Sequence, residues 1–147
     1  MAANKQQAVA KKYFTLAQAN NALPLVKAIV GDIAELANNL RERKDRLARL
    51  QPPKRGSIAE AYQEELQHAH ADSERDQERL LEYKQELEEL GVELKDWYMG
   101  LVDFPSWLGN REVCLCWRLG ESEVSYWHEI DAGYAGRQRI KGPITKN

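Results

Sequence analysis

From Leu16 onward, apolar residues recur at alternating steps of three and four: Leu16, Ala19, Leu23, Val26, Val30, Ile33, Ala37, Leu40 and Leu47, with Lys44 in the single gap. A period of about 3.5 residues lays one apolar seam along a helix. Thr15 with Gln18 three residues on is a capping box, and Phe14 precedes it as a staple. The pattern predicts helix one over 14–50. Pro24 inside it removes a backbone donor and clashes with the carbonyl of Asn20, which predicts a kink there, or a short helix 16–22 feeding a longer one. Pro52-Pro53 ends the segment, and Gln51 to Gly56 is a loop.

Ser57 with Glu60 reads as a second capping box opening helix two over 57–90. Its seam runs through Tyr62, Leu66, Ala69, Leu80, Tyr83, Leu87 and Leu90, with Ser73 and Asp76 as polar members. The short connection makes the two helices antiparallel neighbours, each roughly 45 to 50 Å long at about 1.5 Å per residue. Apolar content is uneven along the pair. Asn38 to Arg49 and Gln63 to Arg79 are nearly all polar, so the loop end is a solvated arm and the other end the body. Leu25, Ile29 and Leu36 form an extra stripe on helix one. Two helices cannot cover it between themselves, which calls for a sheet or a second subunit and motivates a homodimer.

The helix-two seam could continue through Leu94 and Trp97. Gly91, however, stands where a helix ends in a left-handed residue, and it is the preferred stop because turn signals recur at short intervals after it. Short strands then follow at Val92 to Lys95, Leu101 to Phe104, Glu112 to Leu119 and Val124 to Ile130, broken by Gly100, by Pro105 to Asn110 and by Gly120 to Glu123. The expected architecture is α+β and single-domain. A long kinked antiparallel helical hairpin, coiled-coil-like in its period, packs at its base on a small antiparallel β-meander over 92–130, and a loop and tail follow over 131–147.

Charge changes this picture little. Within 147 residues, 21 Lys+Arg face 23 Asp+Glu for a net charge of −2, and a dedicated nucleic-acid binder would carry a basic surplus. No apolar run approaches the roughly 18 to 20 residues that span a bilayer, and Met1 to Lys12 reads as a polar, frayed tail without a signal-peptide core. Neither nucleic acid nor membrane is expected as a partner. Cys114 and Cys116, spaced C-x-C on one face of a strand, would close a disulfide only with strain, so reduced thiols in a cytoplasm are the simpler reading.

Three constellations carry candidate chemistry. Asp103, Cys116, Glu121, His128 and Asp131 gather thiol, imidazole and carboxylates, the ligand set of zinc and other borderline divalent metals and also of acids, bases and nucleophiles. Cys116, His128 and Asp131 are the expected metal ligands. Their convergence depends on the turn after Leu119. A three-residue loop sets Cys114 opposite His128 and Cys116 opposite Tyr126, whereas a two- or four-residue loop turns His128 to the Leu115 and Trp117 face. Both registers are compatible with the sequence. The structural alternative makes Cys116 a small buried hydrophobe and His128 a hydrogen-bonded sheet residue.

A second group, Trp117, Arg118, Glu121, Trp127 and Arg137 with Tyr126 and Tyr134, offers guanidinium beside aromatics for an anionic or planar ligand. Its alternative is cross-strand packing, with Arg137 tying the tail to a carboxylate. The third, His68, His70, Asp72 and Asp76 on helix two, reads as a solvated face more than a bundle metal site.

FTLAQANNALPLV at Phe14 to Val26, GVELKDWYMGLVDFP at Gly91 to Pro105 and EVCLCWRLGESEVSYWHEIDAGYAGRQ at Glu112 to Gln138 resemble the domain of unknown function 2203 family. The resemblance implies a small stand-alone cytoplasmic bacterial or archaeal protein and brings no activity with it. Two function classes therefore stand side by side. One is a non-catalytic binding or scaffold module with a protein partner or a second copy. The other is a metal- or small-ligand-binding protein, an enzyme among its options, centred on Cys116, His128 and Asp131.

Overall fold

The computed structural model describes residues 11–53 and 56–141. Helix α1 (Leu16–Arg49) and helix α2 (Ser57–Glu89) form the hairpin. Strands β1 (Glu93–Asp96), β2 (Leu101–Leu108), β3 (Arg111–Arg118), β4 (Tyr126–Glu129) and β5 (Gln138–Arg139) follow, with a 3-10 turn Tyr134–Gly136 before the last. The sheet is antiparallel and its spatial order repeats chain order. This is the expected α+β arrangement, with five strands in place of four. Met1 to Ala10, where the polar tail was expected, lie outside the described residues, as do residues 54–55 of the helix connection and 142–147 of the C-terminal tail.

Helix α1 begins as its sequence predicts. The Thr15 side chain accepts from the Gln18 amide at 3.1 Å, and the Gln18 side chain accepts from the Thr15 amide at 2.9 Å. The helix then runs unbroken through Pro24. Pro24 is exposed, so water can take the carbonyl its ring leaves without a donor, and no second helix start is needed. Helix α2 starts differently from expectation. Ser57 is already helical, and Gly56 is the cap, its carbonyl accepting from the Ala59 amide at 3.0 Å. At its far end the Gly91 amide donates to the Glu88 carbonyl and the Val92 amide to the Leu87 carbonyl, both at 3.0 Å. That pair of bonds is a Schellman closure, and Gly91 supplies the required φ of 91°.

Strand β2 corrects the sequence reading most clearly. Pro105 to Leu108 were expected in a break, yet they continue β2 and pair with β3 down to Leu108↔Arg111. Proline is tolerated because the Pro105 carbonyl faces away from β3 and accepts from the Phe14 amide at 2.7 Å. A residue's amide position and carbonyl share one side of a strand, so no ladder bond to β3 is lost. Gly109-Asn110 alone makes the turn, with Gly109 at φ 65° as a type II′ hairpin requires.

The core lies between the base of the hairpin and one sheet face. Val26, Val30 and Ile33 of α1 meet Val102, Phe104, Leu115 and Trp117, joined by Leu87, Val92 and Val124. Ile29 belongs to this core, whereas Leu25 from the same stripe is 54% exposed. The sheet thus takes up part of the apolar stripe that had motivated a dimer. Toward the loop the burial stops: among the described residues α1 buries nothing beyond Leu40, and α2 buries Ser73 and Leu87 alone.

Candidate functional site

Alternation along each strand decides which side chains reach the sheet face away from the helices. Val102, Phe104, Leu115 and Trp117 point into the core, so Asp103, Cys114, Cys116, Tyr126 and His128 point the other way. The register pairs Cys114 with His128 and Cys116 with Tyr126, which is the three-residue-loop alternative. Asp103 on β2 stands beside Cys116, one step along from Cys114.

His128 reaches over β3 to Asp103, with Nε2 at 3.0 Å from Oδ1. Its other ring nitrogen, Nδ1, lies 2.7 Å from the Glu129 carbonyl oxygen. A carbonyl accepts only, so Nδ1 carries a hydrogen and donates. Nε2 and Oδ1 then hold one proton between them, as imidazolium with carboxylate or imidazole with carboxylic acid, and either form is neutral overall. Both groups are buried, at 2% and 3% exposure. Burial pushes the Asp103 carboxyl above its ordinary range, and His128 offsets this in part.

Cys114 lies in the same cluster. Its thiol, an Asp103 oxygen and a His128 ring nitrogen all lie within 4.8 Å of one another. Both cysteines are free. Burial, with the Asp103 carboxylate adding to it, pushes the Cys114 thiol up to about 12 and the Cys116 thiol to about 11. Neither is a ready nucleophile at neutral pH.

The expected metal set of Cys116, His128 and Asp131 is not brought together as a set. Asp131 is exposed past the end of β4, and Asp103 occupies the place beside the imidazole. Cys116 faces Arg137, whose Nη1 is 3.8 Å from Sγ. The place of Cys116 in the cluster is taken by Cys114, one β-step away. The register that sets Cys114 opposite His128 was legible as one of two alternatives; Asp103, twenty-five residues from His128 in the chain, had no local signal tying it to the ring.

The expected ligand group forms a clasp. The Arg137 guanidinium stacks between the rings of Tyr126 and Tyr134, at 4.0 and 4.5 Å from their centroids. It forms an ion pair with Glu121 through both ends, Nη2 to Oε2 and Nη1 to Oε1 at 3.2 Å. Glu121 also accepts from the Arg118 amide at 2.9 Å, and its carbonyl accepts from Trp117 Nε1 at 3.0 Å. Trp117 is wholly buried, Trp127 is half-buried against the same core, and the Arg118 side chain is exposed, with Nη1 3.3 Å from the Tyr134 hydroxyl. These residues fold the tail onto the sheet. On the arm, His68 and His70 are exposed, and Asp76 pairs with Arg43 across the hairpin.

A helical hairpin carrying a five-stranded meander, with a buried His–Asp–Cys cluster on the sheet face away from the helices, defines an α+β class of protein. The chain belongs to the family described as "Uncharacterized conserved protein (DUF2203)", whose model matches residues 12–140. Comparison with curated proteins and with solved structures returns no match. No helix among the described residues is long and apolar enough to cross a membrane.

Proposed function

We propose that the chain is a non-catalytic binding module in which the sheet and the hairpin base form a rigid body and the hairpin arm is the contact surface. One observation carries the reading. On the sheet face His128 and Asp103 are buried and engaged with each other, and half-buried Arg137 is paired with Glu121, whereas most side chains of the arm are exposed to solvent. Its two helices differ in sign. Residues 41–49 hold Arg41, Arg43, Lys44, Arg46 and Arg49 against Glu42 and Asp45. Residues 57–79 hold Glu60, Glu64, Glu65, Asp72, Glu74, Asp76 and Glu78 against Arg75 and Arg79. A groove of about 640 Å³ runs between them, with Leu47, Tyr62, Leu66 and His70 in its walls.

Such a surface suits a protein partner that brings both charge signs and some apolar area, and a second copy of this chain is one such partner. The free thiols fit a reducing compartment such as the cytoplasm. A photo-crosslinking amino acid placed at exposed Gln67 in the arm, with one at exposed Glu123 in the body as control, tests the reading in cells. A discrete protein adduct or homodimer from Gln67 and none from Glu123 is the expected outcome. No adduct from the arm, or equal adducts from both positions, refutes it.

A further inference from the structure

The cluster on the sheet face away from the helices supports an inference that stands whether or not the arm binds a partner. We propose that Asp103, Cys114 and His128 form a buried three-donor site for one borderline divalent transition metal of the zinc and cobalt class, with the fourth position left to water. Three adjacent strands, β2, β3 and β4, each supply one donor, and the donor atoms lie within 4.8 Å of one another. Thiolate, imidazole and carboxylate together suit such ions, and hard cations such as calcium or magnesium want oxygen alone.

The imidazole is already set for ligation. Nδ1 donates to the Glu129 carbonyl at 2.7 Å, which leaves Nε2, the nitrogen that shares its proton with Asp103, as the ligating atom once that proton departs. Metal-bound histidines are oriented by this same kind of bond. Charge balances as well. Without metal, the Cys114 thiol is neutral, and Asp103 and His128 share one proton for no net charge. A divalent ion that enters displaces the thiol proton and the shared proton to solvent. The resulting thiolate, carboxylate, imidazole and ion again sum to zero, so a buried site gains no net charge. Cys116 is outside the set, with its sulfur against Arg137.

The test uses the full-length untagged protein, stripped with a chelator and titrated with cobalt(II). The expected result is one equivalent bound, with a thiolate-to-cobalt charge-transfer band. Cys114→Ser loses that band and Cys116→Ser keeps it. Asp103→Asn can still donate an amide hydrogen to Nε2 and so hold the sheet, and it weakens cobalt binding more than tenfold. Absence of stoichiometric uptake or of the band overturns the proposal. So does a band that survives Cys114→Ser and disappears in Cys116→Ser. Should Cys114→Ser fail to fold, the wild-type band and Asp103→Asn decide alone, and unchanged affinity in Asp103→Asn overturns the site.

Discussion

His128 and Asp103 sit on strands that do not pair with each other, yet their side chains meet at 3.0 Å across the intervening β3. The contact braces three strands from the face turned away from α1 and α2. It also makes stability depend on pH in a direction that follows from the shift. Burial raises the Asp103 carboxyl pKa above its ordinary value of 3.8. Its contribution to folding is therefore complete below that value and is lost as pH rises through the higher folded-state value. Asp103→Asn lacks this titration. Urea denaturation from about pH 3 to about pH 8 should show the wild type losing ground to the variant as pH rises through that acid range. A flat difference, or one of the opposite slope, contradicts the assignment.

Gly91→Ala should destabilise the protein by about 1 to 2 kcal/mol, the scale of forcing a Cβ into left-handed backbone. The backbone there has φ 91°, and an added Cβ would sit 2.8 Å from Cβ of Lys12. Equilibrium unfolding measures it. A neutral result would mean that the helix end can re-form without the Schellman closure.

Arg137→Ala should cost about 1.5 to 3 kcal/mol, the range for hydrogen bonds to charged groups. The loss should be local to the tail. The Ile140 amide, which donates to the Ser125 carbonyl at 2.8 Å, should exchange faster, while amides of β2 and β3 keep their protection relative to global stability. Unchanged exchange at Ile140 would mean that the clasp does not hold β5.

Two members of the extra stripe on α1, one buried and one exposed, should respond differently to charge. Ile29→Lys places an ammonium where the wild-type side chain is 7% exposed and should destabilise by about 3 kcal/mol or more. Leu25→Lys, at a position 54% exposed, should stay within about 0.5 kcal/mol. Thermal or urea unfolding of the two variants side by side is sufficient, and equal effects would displace Ile29 from the core.

Amide exchange should also divide the hairpin. Residues 19–40 of α1 and 80–89 of α2 pack on the body, so they should exchange slowly. Residues 41–49 and 57–72 lack buried apolar neighbours and should exchange fast. Uniform protection along both helices would contradict this.

Much of the fold was legible because helices and hairpins announce themselves over short distances. The Leu16 to Leu40 seam, the Thr15–Gln18 box and the Gly91 stop all act within a few residues, and each is present. Pro105 misled because a proline looks like a strand breaker until the neighbour on its amide side is known. Here that neighbour is Phe14, far away in sequence. The site was half legible for the same reason. Cys114 opposite His128 was one of two local registers, but the choice of Asp103 over Asp131 depends on β2 lying beside β3. That Arg137 ties the tail to a carboxylate was one of two readings of the sequence; that the carboxylate is Glu121 depended on the tail folding back over the turn after β3. That Trp117 would face the core rather than a ligand depended on the strand register.

The strand order, which repeats chain order from β1 to β5, has a consequence for how the protein is made. A ribosome releases α1 and α2 before any strand that covers them exists. Val26, Val30 and Ile33 must therefore wait with their apolar face open until Trp117 and Val124 emerge. In that interval the far half of the hairpin, which is nearly all polar, needs no such cover. Each strand then needs only the one before it, so the sheet can close over the waiting helices one hairpin at a time.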